Sequence, residues 1–164
     1  MDNETKNSAN GADQDQNSMV FEVLAQYVKD ASFENPNAPE SLRADQGAPA
    51  ININIEVARD IIAENMVEVI VYLKAEAKRD DKIVYIAELK YAGLFAFGDR
   101  KADDLQPLIL IECPRLLFPF ARQIMSEMTQ NGGFQPLLLP PPDFPAMFRE
   151  ELTRRAINAG EDNA

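Results

Sequence analysis

The chain has no histidine, no tryptophan and a single cysteine, Cys113, among its 164 residues. Without histidine, Ser-His-Asp and Cys-His nucleophilic sites are excluded, and so is any zinc site built on imidazole. One thiol cannot form an intramolecular disulfide or a four-thiolate site, so no oxidising compartment is required. The phosphate-cradling patterns GxxxxGK[ST] and GxGxxG are also missing, which removes the usual nucleotide folds. No apolar run approaches the ~20 residues that span a bilayer. The opening MDNETKNSANGADQDQNS has neither the basic start nor the apolar segment of a secretory signal. These absences set the expectations: a soluble cytoplasmic protein with no catalytic residue, no metal and no cofactor.

Positive charge is scarce as well. Sixteen Lys and Arg stand against 27 Asp and Glu, a net charge of -11 and a pI near 4.4. Such a surface repels nucleic acid and anionic lipid headgroups, so neither nucleic acid binding nor membrane insertion is expected, and a basic partner is the natural complement. Acidity of this kind also serves solubility alone.

What is present is enough apolar residue, 46%, for one modest domain. Residues 1–18 are polar and expected to be a disordered tail, residues 19–157 the domain, and residues 158–164 a frayed end. From Met19, Phe21, Val23, Ala25 and Tyr27 recur at period two and predict a strand. Further along, Asp30, Ser32 and Glu34 fall on one face and Ala31 and Phe33 on the other, provided no bulge intervenes. NPNAPESLRADQGAP follows, too long and too rich in proline for a hairpin turn, and predicts a crossover connection. In AININIE the residues Ile51, Ile53 and Ile55 alternate with polar ones. Faces of this kind are core in most proteins, but beside a long connection such a face serves equally as a binding floor. Ala58 to Asn65 fits either a continued strand or one helical turn.

Val67, Val69, Val71, Leu73 and Ala75 then alternate along a strand that Arg79-Asp80-Asp81-Lys82 turns back into KIVYIAELKYAGLFAF. Gly93 and Gly98 are expected to mark a bulge and the end of that strand. Asp103 or Asp104 is placed to cap a short helix through DLQPLILIE, with a break or kink at Cys113-Pro114. Leu117, Ala121, Ile124 and Met128 form one stripe of a helix that Gly132-Gly133 ends. Seven of the eleven prolines lie from Pro114 to Pro145, clamping Leu137-Leu138-Leu139 between Pro136 and Pro140-Pro141-Pro142. Asp143 caps a last helix with Pro145 in its first turn.

The run CPRLLFPFARQIMSEMTQNGGFQPLLLPPPDFPAMF closely resembles the helix and helix-connecting loop of the SecB family of bacterial protein-export chaperones. YVKDASFENPNAP resembles that family's first strand and crossover loop, and the similarity extends over roughly residues 19–155. The resemblance implies an α+β fold: a four-stranded antiparallel sheet with helices packed on one face, assembled as a homotetramer, a dimer of dimers. It implies an ATP-independent holdase that keeps unfolded secretory precursor proteins competent for translocation and delivers them to the SecA ATPase.

The same resemblance places a client groove between the two loops, the second strand and the last helix. Candidates for its lining are Phe33, Ile51, Ile53, Ile55, Phe134, Leu138, Phe144 and Phe148. It places motor docking on Asp30, Glu34, Ile86 and Glu88, with a basic zinc-binding tail of SecA as complement, the zinc being the partner's. Alternatives are a related chaperone dedicated to an antitoxin client, a sheet adaptor for one folded partner, and a carboxylate-dependent metal hydrolase on Asp30, Glu34 and Glu88. For the last, no magnesium shell or nucleophile is ordered around the acids.

Overall fold

The computed structural model describes residues 21–161. The tail expected at residues 1–18, and the end of the one expected at 158–164, lie outside the described residues.

Alternating side chains build four antiparallel strands, β1 (Glu22–Glu34), β2 (Ala50–Ala63), β3 (Met66–Arg79) and β4 (Lys82–Ala96), in the order β1-β4-β3-β2. Residues 35–49 therefore carry the chain from one edge of the sheet to the other, the crossover that their proline-rich composition predicts. Asp80 and Asp81, both at positive φ (49° and 61°), close the β3–β4 hairpin. The ambiguous stretch from Ala58 is strand as far as Ala63, and the turn at Glu64-Asn65 leads into β3.

Two helices follow, α1 (Cys113–Asn131) and α2 (Phe144–Glu161). α1 lies across β3 and β4. Val67, Val69, Val71, Leu73 and Leu89 meet Leu117, Ala121 and Met125, all fully buried in one core. Ile124 and Met128 pack half-buried at its margin. α2 begins as expected, with Asp143 Oδ1 accepting the Ala146 N–H at 2.9 Å. It runs further than expected, helical through Glu161 rather than fraying at 158.

Three local expectations are corrected. β1 does not keep one face, because two extra residues turn it over twice. Phe21 and Val23 face the helices, and Phe21 meets the Phe95 ring edge-on at 5.4 Å. Leu24 is then bulged between the Val23–Phe95 and Ala25–Leu94 pairs, which sends Ala25 and Tyr27 to the opposite face. Lys29 is bulged between Val28–Tyr91 and Asp30–Lys90, which returns Ala31 and Phe33 to the helix side and leaves Asp30, Ser32 and Glu34 outside.

Gly93 marks no bulge of its own strand, since it pairs in regular register with Gln26 and Val69. It is needed for close approach: a Cβ there would stand 2.7 Å from a Phe95 ring carbon and 2.8 Å from Leu117 Cδ2. Both neighbours are fully buried and cannot withdraw. Gly93→Ala is expected to cost about 1–3 kcal/mol by overpacking, seen as a lower urea midpoint at unchanged slope. An unchanged midpoint would contradict this.

The third correction is at Pro114, where no break occurs. A 3-10 turn (Ala102–Leu105) without side-chain cap and a π-helical segment (Leu108–Glu112) run directly into α1, and Cys113 is helical (φ -61°, ψ -50°). The Cys113 N–H bonds back to Leu108 O, one residue beyond the α spacing. The wider π turn accommodates a proline ring that would crowd the preceding carbonyl of an α-helix.

Candidate functional site

Helices cover one face of the sheet, so each face has its own surface. On the helix-free face, the register places Glu34 beside Ile86, which in turn pairs with Glu76. In the next row Ser32, Glu88 and Lys74 lie abreast, and in the third Asp30, Lys90 and Tyr72. The four docking candidates Asp30, Glu34, Ile86 and Glu88 therefore share one face at the β1–β4 end, on residues that are exposed or half-exposed.

Basic side chains interleave with them. Glu88 binds Lys74 at 2.8 Å, and this carboxylate raises the lysine pKa. Glu76 is likewise held by Lys78 at 2.6 Å. Among the described residues, Asp30 and Glu34 form no ion pair. Four residues of strand separate them by about 13 Å, too far to share one ion. Among the described residues no group of three or more His, Cys, Asp or Glu is placed to hold a metal.

The same face carries a network that sequence reasoning missed. Glu68, only 8% exposed, receives hydrogen bonds from Lys29 and from the Tyr27 hydroxyl, the latter at 2.7 Å. Lys29 first and Tyr27 second hold the Glu68 carboxyl below its usual range, and the carboxylate pushes the Tyr27 phenol up to about 12. The bulge at Lys29 aims both donors at one carboxylate on β3, two strands away. No sequence signal announces that bulge.

On the helix side, α1 roofs β3 and β4 but leaves the start of β2 open. Ile51 and Ile53, 42% and 38% exposed, pair with fully buried Ala77 and Ala75 and share their face. Ile55 is half-buried and, with Val57, Met147 and Phe148, lines a cleft of about 790 Å³ between β2 and α2. Glu56, Glu150, Glu151, Arg154 and Arg155 give this cleft a charged rim.

At the other end, Phe33, Tyr85 and Phe134 form an aromatic cluster with ring separations of 5.6, 6.3 and 4.9 Å. Gly132 makes it possible, because a Cβ there would fall 2.2 Å from Phe33 Cζ. The loop after α1 is pinned from within: buried Thr129 accepts the Leu137 N–H at 2.9 Å through Oγ1. Leu137 and Leu139 are buried, while Leu138 between them is 78% exposed. An extended, proline-flanked segment alternates its side chains in this way, so one leucine of the three is presented to solvent.

The structure thus brings Phe33 to Phe134, lines Ile51, Ile53 and Ile55 along one strand face, and sets Phe148 across the cleft from Ile55. Phe144 is the exception. It is 2% exposed and edge-on to Phe118 at 6.1 Å, a core residue with no surface to offer. Leu42, 44% exposed, was not foreseen: its methyl Cδ2 lies 3.0 Å from the Cβ position of Gly133, joining the crossover to the helix-connecting loop. As the one large apolar residue of its connection it was visible in the sequence. Cys113 is fully buried, which pushes its thiol up to about 12 and leaves no thiolate nucleophile at neutral pH.

The profile of the family described as "Preprotein translocase subunit SecB" matches residues 14–155. The chain belongs to the SecB family. Protein-export protein SecB of Maricaulis maris is 51% identical over 137 residues, covering 84% of this chain and 80% of its own. The SecB of Sinorhizobium fredii is 45% identical across 100% of this chain and 97% of its own. A solved SecB-like chaperone of Mycobacterium tuberculosis, in complex with a peptide from an antitoxin, has the same fold at a TM-score of 0.61 and 17% identity, covering 74% of this chain and 90% of its own. As a SecB-family protein the chain is a chaperone of preproteins, and among the described residues no helix is long and apolar enough to cross a membrane.

Proposed function

We propose that this SecB-family protein works as a holdase without ATP or catalysis, in the cytoplasm, as a dimer of dimers that passes unfolded precursors to SecA. The observation that carries the client-binding reading is the open start of β2. Ile51 and Ile53 expose apolar surface on the same face that is otherwise sealed by α1. An extended, unfolded chain can bury its own apolar side chains there while the proline-clamped loop stays in place, so little ordering entropy is lost by the chaperone. Phe33, Ile51, Ile53, Ile55, Phe134, Leu138 and Phe148 are proposed as client contacts, and Asp30, Glu34, Ile86 and Glu88 as the motor-docking face. Edge strands and a proline-bearing long helix are liabilities for a lone subunit that an assembly covers, which supports the tetramer.

The test is a solution mass of the particle with and without an unfolded precursor. Four subunits that gain the mass of bound precursor and slow its refolding are expected; an inert monomer would overturn the reading. A chaperone dedicated to an antitoxin would instead hold one client and ignore precursors. That second reading is supported only by the fold likeness at 17% identity, whereas relatives at 45–51% carry the export name.

A further inference from the structure

The crossover from β1 to β2 is fastened by one side chain from outside it. Arg79, the last residue of β3, reaches over this connection from the β3–β4 hairpin. Its Nε donates to Gly47 O at 2.7 Å, and its Nη1 donates to Gln46 Oε1 and, at 3.4 Å, to Ser41 O. These acceptors are spread over seven positions of the loop, so one planar guanidinium fixes both its 3-10 turn (Glu40–Leu42) and its return limb. The loop's own bonds are local. Arg43 pairs with Asp45, Ser41 Oγ donates to Asn35 Oδ1 at 2.6 Å, and Gln46 Nε2 donates to Glu40 O at 3.3 Å. Asn37, donating to Ile83 O at 2.7 Å, adds a second side-chain tie to the hairpin.

On its far side the loop presents Leu42 against Gly133, next to Phe134 of the aromatic cluster. The loop thus stands between Arg79 behind it and the candidate groove in front.

We propose that Arg79 is the positioning residue of the crossover loop, its three-acceptor guanidinium clamp holding Leu42 as a lip of the client groove. The proposal rests on the reading that clients occupy this groove. It assigns the chain a determinant of client retention that lies outside the groove and touches no client.

Amide hydrogen exchange on the full-length protein separates the two claims. The chains to compare are wild type, Arg79→Ala and Arg79→Lys, each alone and with a fluorescein-labelled unfolded peptide rich in Leu and Phe. Losing charge-assisted bonds at a half-exposed site corresponds to roughly tenfold faster exchange at residues 37–48. Arg79→Ala should show this while the amides of β3 and β4 keep their wild-type rates, and its peptide affinity should fall about three- to tenfold, mostly through faster dissociation. Arg79→Lys should recover only part of both effects, since an ammonium group lacks the planar fork.

Unchanged loop exchange in Arg79→Ala overturns the clamp, as does acceleration spread equally through β3 and β4. A loosened loop with undiminished peptide affinity overturns its link to client retention. If instead wild-type protein with bound peptide shows no slowing at residues 37–48 or 134–139, the groove reading itself fails, whatever Arg79→Ala does to the loop.

Discussion

Ile53→Arg is expected to lower affinity for an unfolded precursor by one to two orders of magnitude and leave the subunit folded. The asymmetry follows from where Ile53 stands. Its side chain is 38% exposed on the unroofed part of β2, so an arginine there can keep its guanidinium in water and cost the fold little. A bound client loses more. Fully burying an isoleucine contributes about 1.5–3 kcal/mol, so covering the 38% of Ile53 still exposed contributes about 0.6–1.1 kcal/mol, and each 1.4 kcal/mol is tenfold in affinity. The replacement also asks the client to desolvate a charge on an otherwise aliphatic floor. Fluorescence titration with a labelled precursor, beside a thermal scan and a solution mass, checks this. Wild-type affinity in a correctly assembled variant would remove β2 from the groove.

Asp30→Ala combined with Glu88→Ala is expected to weaken docking of the basic SecA tail about tenfold at low salt, with precursor binding unchanged. Single exposed charge pairs contribute only about 0.2–1 kcal/mol. Two features enlarge the effect here. Removing the Glu88 carboxylate releases Lys74, now bound to it at 2.8 Å, so the face loses an acid and gains an unpaired cation. In the proposed tetramer, repetition of the patch on four subunits would multiply a small loss through multivalent contact. Raising the salt should shrink the difference between variant and wild type, because exposed charges are screened within about 10 Å at 0.1 M. Calorimetric titration of the tail at two ionic strengths gives the result. A salt-independent loss, or none, would move the docking site elsewhere.

Much of the fold is legible from residue patterns. The alternation in β3, the Asp80-Asp81 turn, the helix stripe at Leu117 and Ala121 and the Asp143 cap all follow from local periodicity or turn chemistry, which nearby residues suffice to specify. The bulges at Leu24 and Lys29 are not legible in this way. A bulge is a relation between two strands, and Phe21, Val23, Ala25 and Tyr27 look identical in sequence whether or not the partner strand skips a residue. The continuous helix through Pro114 escaped for a similar reason. The proline predicts a conflict with the preceding turn, but not that a π turn at Leu108–Glu112 will relieve it.

The candidate site divides along the same line. Composition alone removed histidine chemistry and intramolecular disulfides, and alternation alone placed Ile51, Ile53 and Ile55 on one face, because these depend on residue type and chain spacing. Which apolar residues remain available was decided by the tertiary structure. Leu138 and Phe144 are comparable in hydrophobicity and six residues apart, yet one is 78% exposed and the other 2%. The difference lies in what covers each: Phe118 of α1 lies against Phe144, while among the described residues little covers Leu138. The Arg79 clamp belongs to the same class, since its acceptors lie more than thirty residues away and meet it only where the crossover passes the hairpin. Sequence spacing determines the face on which a side chain emerges, and packing of distant elements determines whether that face stays open to a partner.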